Sequence, residues 1–418
     1  MKKIILIIAL SLLYFIVYSQ DTIKVMSYNL LNYGNYAYDC TTSNNNVSDK
    51  NEYLKTIIDY TLPDILGVVE IAPEDTYIDG FRDNVLNQNG RNYYAKTPKF
   101  NYSGSPIINM LYYDSRKMAL SFWTSLATTY RDINIYTFYF ENDALENGDT
   151  VYLTCIVMHL KAGNTDTDAS DRTAMAQKLM NFLNSFNKNT NYLVMGDFNL
   201  YSSSEGAYQQ LTNHPNANIR FYDFINKSGD WSNNPYFSLY HTQSTHSNSN
   251  CFIGGGLDDR FDFILGNINT ITGAKGFKYI ANSYTTLGQD GLHFNKGLLD
   301  SPTNTTVPSN VLEALYWNSD HLPIISKFIV DNTLSISDYS LPINYYMIDN
   351  KLYINFINPS NADMSIKILD MQGRDVFTDQ IPSNMQQYVL DMNNYNKGVY
   401  LIDIFNNTDF TSFKILNF

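Results

Sequence analysis

The sequence predicts an α/β domain over residues 22–330, followed by a small all-β domain over residues 341–418. In the first range, short runs of β-branched and aromatic residues alternate with amphipathic helical stretches. Several of these runs are apolar on both faces, as expected of central strands in a sheet that is covered on both sides. In the second range only strand and turn patterns occur, which predicts a β-sandwich. Residues 331–340 form a polar linker between the two.

The predicted strands of the α/β domain occupy residues 22–31, 64–71, 106–113, 151–160, 192–199, 260–266 and 323–330. Asp49 and Glu52 have the spacing of a capping box, which predicts that a helix starts there and precedes the second strand. A further helix is predicted where Met175, Leu179, Phe182, Leu183 and Phe186 form one apolar face.

Residues 1–19 have the pattern of a secretory signal peptide. Lys2 and Lys3 precede an apolar run, and the small Ser19 suits a cleavage site. The run is too short for a comfortable membrane span. We therefore expect an exported protein without stable membrane insertion.

The composition excludes a disordered chain and disfavours a protein that holds nucleic acid tightly. Hydrophobic residues make up 44% and charged residues 17% of the sequence, as in ordinary globular proteins. The formal net charge of -13 falls to -15 once the two signal-peptide lysines are removed. Such a charge repels nucleic acid at long range. An enzyme that cuts and releases nucleic acid remains possible, because a bound divalent cation adds local positive charge.

The cysteines are too few for a disulfide scaffold. Cys155 lies in a strand-like run and is predicted to be a buried thiol. Cys40 and Cys251 lie in polar loops, where one disulfide between them is possible in an oxidising compartment.

Several apolar runs end at residues that can bind a metal ion or transfer a proton. These residues are Asn29, Glu70, His159, Asp197, Asn199, Asp262, Asp320 and His321. One such residue often only satisfies turn amides, but six segments with the same feature predict a shared site at strand ends. Oxygen ligands without a thiolate favour Mg²⁺, Mn²⁺ or Ca²⁺.

The segments "SYN", "DILGVVE", "GDFN" and "SDHLP", in this order, resemble the motifs of the endonuclease/exonuclease/phosphatase (deoxyribonuclease I-like) family. The resemblance covers residues 22–330. It implies a four-layer α/β/β/α sandwich that hydrolyses phosphate esters with a divalent metal, Mg²⁺ or else Mn²⁺ or Ca²⁺, and a water molecule. It further implies that Asn29, Glu70 and Asp320 hold the metal.

The same resemblance implies roles for the remaining residues at the strand ends. Asp197 would orient or deprotonate the attacking water without needing a raised pKa, and Asn199 would hold a phosphate oxygen. His321, tethered to Asp262, and His159 would stabilise or protonate the phosphate. A carboxylate beside His321 would fix the imidazole tautomer and raise its pKa.

Four further residues are candidates for contact with the substrate. Asn109 and Tyr112 lie where relatives place phosphate-contacting side chains, although packing also explains a strand amide and an aromatic ring. Lys161 would point to the same side as His159 in an extended chain and either touches phosphate or is solvated. Arg172, predicted to start the next helix, either reaches toward the site or pairs with an acid.

The C-terminal segments "LYINFINPSNADMSIKILDMQGRDVF" and "YNKGVYLIDI" resemble the type A sorting domain of the type IX secretion system. The resemblance implies that the outer-membrane secretion machinery recognises residues 341–418 and that the protein is secreted or placed on the cell surface. A permanent carbohydrate-binding or adhesive β-domain is the alternative.

These observations predict a secreted, monomeric, metal-dependent nuclease with extracellular DNA or RNA as a transient substrate. One alternative is a phospholipid or sugar-phosphate phosphoesterase. A sphingomyelinase-like enzyme would need an exposed aromatic hairpin for membrane docking, which the sequence does not indicate. The other alternative is a catalytically silent surface adhesin, which the full set of strand-end residues disfavours.

Overall fold

The computed structural model describes residues 21–140, 150–331, 343–348, 350–356, 359–370, 374–406 and 410–417. The predicted signal peptide lies outside the described residues, as does nearly all of the predicted linker. The chain divides into two compact units, residues 1–333 and 334–418. Among the described residues, no helix is long and apolar enough to cross a membrane.

The strands of the first unit are β1 (Asp21–Tyr33), β2 (Ile65–Ile71), β3 (Tyr94–Lys96), β4 (Ile108–Asp114), β5 (Met118–Leu126), β6 (Ile133–Phe140), β7 (Tyr152–Val157), β8 (Asn191–Asp197), β9 (Phe221–Asp223), β10 (Asp262–Asn267), β11 (Phe277–Tyr279), β12 (Thr285–Thr286) and β13 (Ile324–Val330). Its α-helices are α1 (Val47–Thr61), α2 (Asp75–Phe81), α3 (Asp166–Phe186), α4 (Gly206–Thr212), α5 (Ile268–Thr272) and α6 (Ser309–Asn318).

One sheet of this unit has the described strand order β11-β13-β1-β2-β4-β3, with β12 also paired to β13. Strands β1 and β2 are parallel, whereas β1 and β13 are antiparallel. Helices α1, α2 and α6 cover its outer face. There Leu66 and Val68 of the sheet pack with Leu54 and Ile57 of α1 and with Leu315 of α6.

The second sheet has the order β5-β6-β7-β8-β10-β9. Strands β7 and β8 are parallel, and β10 runs antiparallel to β8. Helices α3 and α4 cover its outer face, where Val194 and Phe263 of the sheet pack with Leu179 of α3 and Leu211 of α4.

The inner faces of the two sheets pack against each other. A Cβ atom at Gly67 of β2 would lie only 2.8 Å from the sulfur of Met195 in β8, so this position has room for no side chain. Every residue of β8 is buried, as its apolar sequence predicts. The layers are therefore helix, sheet, sheet and helix, which confirms the predicted four-layer α/β/β/α class.

Two helices start at residues other than those predicted. Helix α1 is capped by Asn46, whose side chain accepts hydrogen bonds from the amides of Ser48 and Asp49, so Asp49 lies inside the first turn. Helix α3 is capped by Thr165 in a capping box with Asp168.

The second unit contains β14 (Ile343–Ile348), β15 (Lys351–Phe356), β16 (Met364–Leu369), β17 (Asp375–Ile381), β18 (Gln387–Asp391), β19 (Gly398–Phe405) and β20 (Phe410–Asn417). They form two antiparallel sheets with the orders β14-β15-β18 and β17-β16-β19-β20. Alternate residues such as Ile354, Ile366 and Ile402 form one buried core from both sheets. This arrangement is the predicted small β-sandwich.

Candidate active site

The parallel strands of both sheets deliver their last residues to one end of the unit. Asn29 and Glu70 lie near the ends of β1 and β2, and Asp197 ends β8. Asp262, the first residue of β10, is the direct pairing partner of Asp197. His321 lies just before β13, which pairs with β1. Strands distant in sequence therefore present polar side chains to the same place.

A glycine lets β7 approach β8 closely at this end. A Cβ atom at Gly196 would lie 1.9 Å from the carbonyl oxygen of Met158, so no other residue fits without a shift. The approach is fixed by hydrogen bonds from the amides of Met158 and Leu160 to the carbonyls of Met195 and Asp197. His159 is thereby held beside the end of β8.

A β-bulge directs Glu70 toward the site. The registers of β2 with both β1 and β4 shift around this residue, and its φ of 63° lies in the left-handed region. Such a conformation is uncommon for a non-glycine residue and costs about 1–2 kcal/mol. Bulges of this kind re-aim side chains near active sites.

Asn29 joins carboxylates from the two sheets. Its Nδ2 donates to Glu70 Oε1 and to Asp197 Oδ2, both at 3.1 Å. Its Oδ1 accepts a hydrogen bond from the Leu31 amide at 2.9 Å, while Glu70 Oε2 accepts one from the Asn32 amide at 3.0 Å. The Asn29 oxygen accepts one hydrogen bond and keeps a second lone pair, so its role as a metal ligand stays a prediction. Its amide hydrogens position the two carboxylates.

The chemistry of the neighbouring groups fits a divalent cation. Glu70, His159 and Asp197 each offer a ligand atom, and these atoms lie within 4.8 Å of one another. Asp320 is buried, and its Oδ2 accepts a hydrogen bond from the Ile253 amide at 2.9 Å. Its Oδ1 has no hydrogen-bond partner among the described residues. A buried carboxylate oxygen without a partner is costly, and a cation would satisfy it.

His321 and Asp262 form a buried pair. His321 Nδ1 lies 2.7 Å from Asp262 Oδ2. Burial alone lowers the pKa of His321, but the charge and hydrogen bond of Asp262, with the charges of Asp197 and Asp320, raise that pKa well above its usual value. Its Nε2 lies 3.8 Å from Asp197 Oδ2 and 2.8 Å from the side-chain amide of Gln243. The protonated His321 ring therefore contacts Asp262 through Nδ1 and faces Asp197 with Nε2.

His159 has the opposite electrostatic environment. Burial, followed by the charges of Arg131 and His321, lowers the pKa of His159 well below its usual value. Its Nε2 lies 3.5 Å from Asp197 Oδ2 and 3.9 Å from Glu70 Oε1. A neutral imidazole is the form that binds metal ions, so His159 can act as a metal ligand as well as in the predicted contact with phosphate.

Asp197 is the most highly connected carboxylate of the site. Burial raises the pKa of Asp197 to about 7; the charge of His321 opposes this shift, and those of Asp262 and Glu70 add to it. The sequence argument did not require a raised pKa, which arises because both sheets enclose this side chain. Its Oδ1 accepts a hydrogen bond from the Asn199 amide at 2.9 Å, so Oδ2 faces the other polar groups.

A cavity of about 270 Å³ opens onto these groups. Arg131 and Gln243, which the sequence did not indicate, both line it. The Arg131 guanidinium donates to the carbonyl oxygens of His159 at 3.2 Å and Leu160 at 2.6 Å. Among the described lining residues Arg131 is the only lysine or arginine. Arg131 and Gln243 both lie in irregular segments without a motif, so nothing in the sequence distinguishes them from surface residues.

Asn109 and Tyr112, two of the four predicted substrate contacts, do not line the cavity. The Tyr112 hydroxyl donates to the carbonyl of Ile78 at 3.0 Å within the outer core of the first sheet. Asn109 is buried and donates to the carbonyls of Asp132 and Val157. Neither side chain reaches the cavity in this geometry, and their contact with phosphate stays a prediction.

Lys161 and Arg172, the other two predicted contacts, also lie outside the cavity lining. Lys161 forms an ion pair with Asp168 at 2.7 Å. Arg172 is buried within α3, pairs with Glu205 at 2.7 Å, and donates to the carbonyls of Lys161 and Gly163. Arg172 therefore pairs with an acid, the second of its predicted possibilities, and it holds the loop that follows His159.

Residues 348–416 match the family described as the secretion system C-terminal sorting domain. This match confirms the predicted sorting role of the tail. It indicates export by type IX secretion to the cell surface or the surroundings. No curated protein sequence matches the chain.

Solved structures similar to this chain include proteins of the endonuclease/exonuclease/phosphatase type. One is the catalytic domain of human Nocturnin with bound sulfate, with 18% identity, a TM-score of 0.44, and coverage of 74% of this chain and 97% of that chain. D. rerio TDP2 complexed with a single-strand DNA product has 15% identity, a TM-score of 0.46, and coverage of 74% and 99%. The endonuclease/exonuclease/phosphatase from Bacteroides vulgatus has 12% identity, a TM-score of 0.47, and coverage of 74% and 100%.

Proposed function

We propose that this protein is a secreted, divalent-metal-dependent phosphodiesterase that hydrolyses extracellular DNA or RNA. The observation that carries this proposal is the buried His321–Asp262 pair, which faces Asp197 and Glu70 across one cavity. A charged imidazole opposite carboxylates that can hold a cation is an arrangement suited to phosphate-ester hydrolysis.

Glu70 and Asp320 would hold the cation, with His159 beside them. When bound, the cation supplies positive charge that polarises the phosphate and stabilises the departing oxygen. Asn29 keeps Glu70 and Asp197 apart at fixed positions through its amide hydrogens. This preorganisation removes the need for the carboxylates to rearrange during turnover.

Asp197 accepts the proton of the attacking water. Its Oδ1 is occupied by the Asn199 amide, so Oδ2 is the atom that orients the water. A base with a pKa near neutrality is well matched to this step. The Asn199 side chain lines the cavity, and its Nδ2 makes a long 3.4 Å contact to the Leu160 carbonyl, so its amide can turn to a phosphate oxygen.

His321 and Arg131 stabilise the negative charge that grows on the phosphate. His321 donates from Nε2, because Asp262 holds the proton on Nδ1. Arg131 keeps a charged guanidinium at the cavity wall, where hydrogen bonds to phosphate are charge-assisted. In the substrate-free protein the side-chain nitrogen of Gln243 lies 2.8 Å from His321 Nε2. An amide nitrogen only donates, so this contact must give way when Nε2–H donates to phosphate.

One surface feature favours a second candidate, a phospholipid phosphodiesterase. Tyr236 is 92% exposed, and Leu239 and Leu292 are also exposed large apolar side chains. Leu239 lies against Gly291, so the two leucines are neighbours. Exposed aromatic and aliphatic side chains of this kind can insert into a membrane interface.

The two candidates are separated by assaying the purified mature protein with plasmid DNA, RNA and sphingomyelin vesicles, each with Mg²⁺, Mn²⁺, Ca²⁺ or a chelator. We expect metal-dependent cleavage of DNA or RNA, lost with chelator and reduced about 10²- to 10⁴-fold in His321→Ala. Cleavage of sphingomyelin alone, reduced by Leu239→Asp, would establish the second candidate. Equal activity in His321→Ala, or none with any substrate, would overturn the proposal.

A further inference from the structure

A disulfide closes one side of the cavity mouth. Cys40, in the loop after β1, is bonded to Cys251, in the loop before β10, across 211 residues of sequence. Cys251 itself lines the cavity. The pairing that the sequence left open is therefore present, and its position ties together two loops that border the site.

The cavity lining also includes apolar and aromatic residues, namely Leu31, Tyr38, Ile107 and Ile253. Leu31 is in one buried cluster with the disulfide, and Tyr38 and Ile253 are each two residues from one of its cysteines. Tyr38 is 84% exposed and Ile253 is 56% exposed, so neither side chain contributes much to the core. A site that took only a phosphate group would gain nothing from them, whereas apolar and aromatic lining is usual where a ligand carries a hydrophobic or ring-shaped part.

Tyr38 lies in a turn of unfavourable backbone conformation, two residues before the disulfide cysteine Cys40. Tyr38 and Asp39 have consecutive φ values of 52° and 68°, both in the left-handed region, which bulky residues rarely adopt. Cys40 follows directly and is buried with Cys251 and Phe252 in a small cluster. The covalent bond supplies the outside restraint that such a turn needs.

The loop that carries Cys251 and Ile253 is hydrogen-bonded to a carboxylate of the site. The Ile253 amide donates to Asp320 Oδ2 at 2.9 Å, so the loop of Cys251 is attached to a carboxylate of the site. Tyr38 and Arg131 both line the cavity.

We propose that the disulfide-anchored wall of the cavity, formed by Leu31, Tyr38 and Ile253, is the specificity element of the enzyme, on which Tyr38 stacks against a ring of the group esterified to the phosphate and Ile253 packs beside it. This inference rests on the proposed phosphodiesterase function. For a nucleic acid, the ring is the base next to the bound phosphate. Stacking accepts any base, because each has an aromatic face, so the wall selects base-bearing strands without reading their sequence.

A redox dependence follows from the same geometry. Dithiothreitol reduces the bond by thiol–disulfide exchange: the protein disulfide gains two electrons and two protons, and the two thiols of the reagent form its cyclic disulfide. The loops of Tyr38 and Ile253 then lose their covalent restraint. The remaining cysteine, Cys155, is a buried free thiol inside β7 and takes no part.

The test measures binding separately from hydrolysis. A fluorescein-labelled oligothymidylate and an abasic strand of equal length are titrated by anisotropy into the His321→Ala protein with Mg²⁺. Added to this background are Tyr38→Ala, Tyr38→Phe, the double change Cys40→Ser with Cys251→Ser, and Tyr60→Ala. Tyr60 is an exposed tyrosine in the last turn of α1, near the start of β2 rather than its end.

We expect Tyr38→Ala to raise the Kd of the base-bearing strand about tenfold, since one stacked base commonly contributes about five- to 150-fold in affinity. The abasic strand should bind equally to all variants, and Tyr38→Phe and Tyr60→Ala should match the background. The double serine variant, or reduction with dithiothreitol, should raise the Kd of the base-bearing strand to a similar extent.

Two results would overturn the inference. One is equal binding of the two strands before any change at Tyr38; the other is an unchanged Kd in Tyr38→Ala. Because Tyr38 is exposed, its replacement leaves the core intact, and this arm does not depend on folding of the serine variant. Either result would leave the proposed hydrolysis standing, which is judged by cleavage assays on the wild-type protein.

Discussion

The most informative single substitution is Asp262→Asn, because it removes one charge and almost no volume. The Asp262 carboxylate lies 2.7 Å from His321 Nδ1, and both side chains are buried. An asparagine oxygen can still accept the Nδ1 hydrogen, so the ring stays in place. Without the Asp262 charge, the pKa of His321 falls, because burial lowers it and one of the charges that raised it is gone. Less of the ring is then protonated and able to stabilise the phosphate.

The expected loss can be estimated from this contact. A buried hydrogen bond to a charged group contributes about 1.5–3 kcal/mol, which corresponds to a rate factor of about 10 to 150 when it acts only in the transition state. Loss of the protonated His321 adds to this factor. We therefore expect kcat to fall about 10²- to 10⁴-fold with KM nearly unchanged, measured with a fluorescent oligonucleotide substrate and saturating Mg²⁺.

A matched control is available on the neighbouring strand. The side chain of Asp223 in β9 is also buried and forms an ion pair with the Arg260 guanidinium at 2.8 Å. Neither residue lines the cavity. Asp223→Asn should lower the free energy of unfolding by about 3–5 kcal/mol while the folded protein keeps its kcat. If Asp262→Asn retained a kcat within about threefold of the wild type, the buried pair would have no part in catalysis.

Other predictions address the metal, the scaffold and the tail. Glu70→Gln should weaken Mg²⁺ binding, measured by titration calorimetry, and reduce hydrolysis in parallel; tight Mg²⁺ binding without hydrolysis would contradict its role as a ligand. Burial lowers the pKa of Lys50 to about 7. Between this value and the usual lysine pKa, Lys50 is protonated in the unfolded chain and neutral in the folded one. Stability of the wild type relative to Lys50→Met should therefore rise between pH 7 and 10, by up to ~1.4 kcal/mol per pH unit in urea titrations; a fall would contradict the burial of its ammonium group. Arg172→Met should remove the ion-pair partner of Glu205 and lower the melting temperature. It should weaken activity only because the loop of Lys161 and Gly163 loses the hydrogen bonds that hold it. A chain truncated after Asp331 should stay folded and hydrolyse substrate but fail to leave its own cell, and aggregation of that chain would show that the tail supports the enzyme.

The strand pattern predicted an α/β domain because the central strands are apolar on both faces, whereas the four-layer arrangement was implied by the family resemblance. Strands β2 and β8 stand out in the sequence for this reason, and both lie at the interface between the sheets. Short or half-exposed strands, such as β5 and β9, carry weaker patterns and were not predicted. The start of α1 at Asn46 was missed because several polar residues before it can all act as caps.

The strand-end residues of the site were predictable because an apolar run that stops at a carboxylate or imidazole is visible in the sequence. Their individual roles were less so. The hydrogen bond from Asn29 Nδ2 to Asp197 Oδ2, and the raised pKa of Asp197, depend on how the two sheets meet. Arg131 and Gln243 come from irregular segments, where position is set entirely by the tertiary fold.

The central claim is that water attacks phosphorus in the cavity that contains Asp197 and His321. The most direct measurement is hydrolysis of a dinucleotide by the wild-type protein in ¹⁸O-labelled water, with mass analysis of both products. We predict one ¹⁸O atom in the phosphate product and none in the alcohol, with a yield of labelled product that requires Mg²⁺ and falls about 10²- to 10⁴-fold in His321→Ala. Label in the alcohol, or unchanged labelling of the phosphate product in chelator or in His321→Ala, would contradict the account.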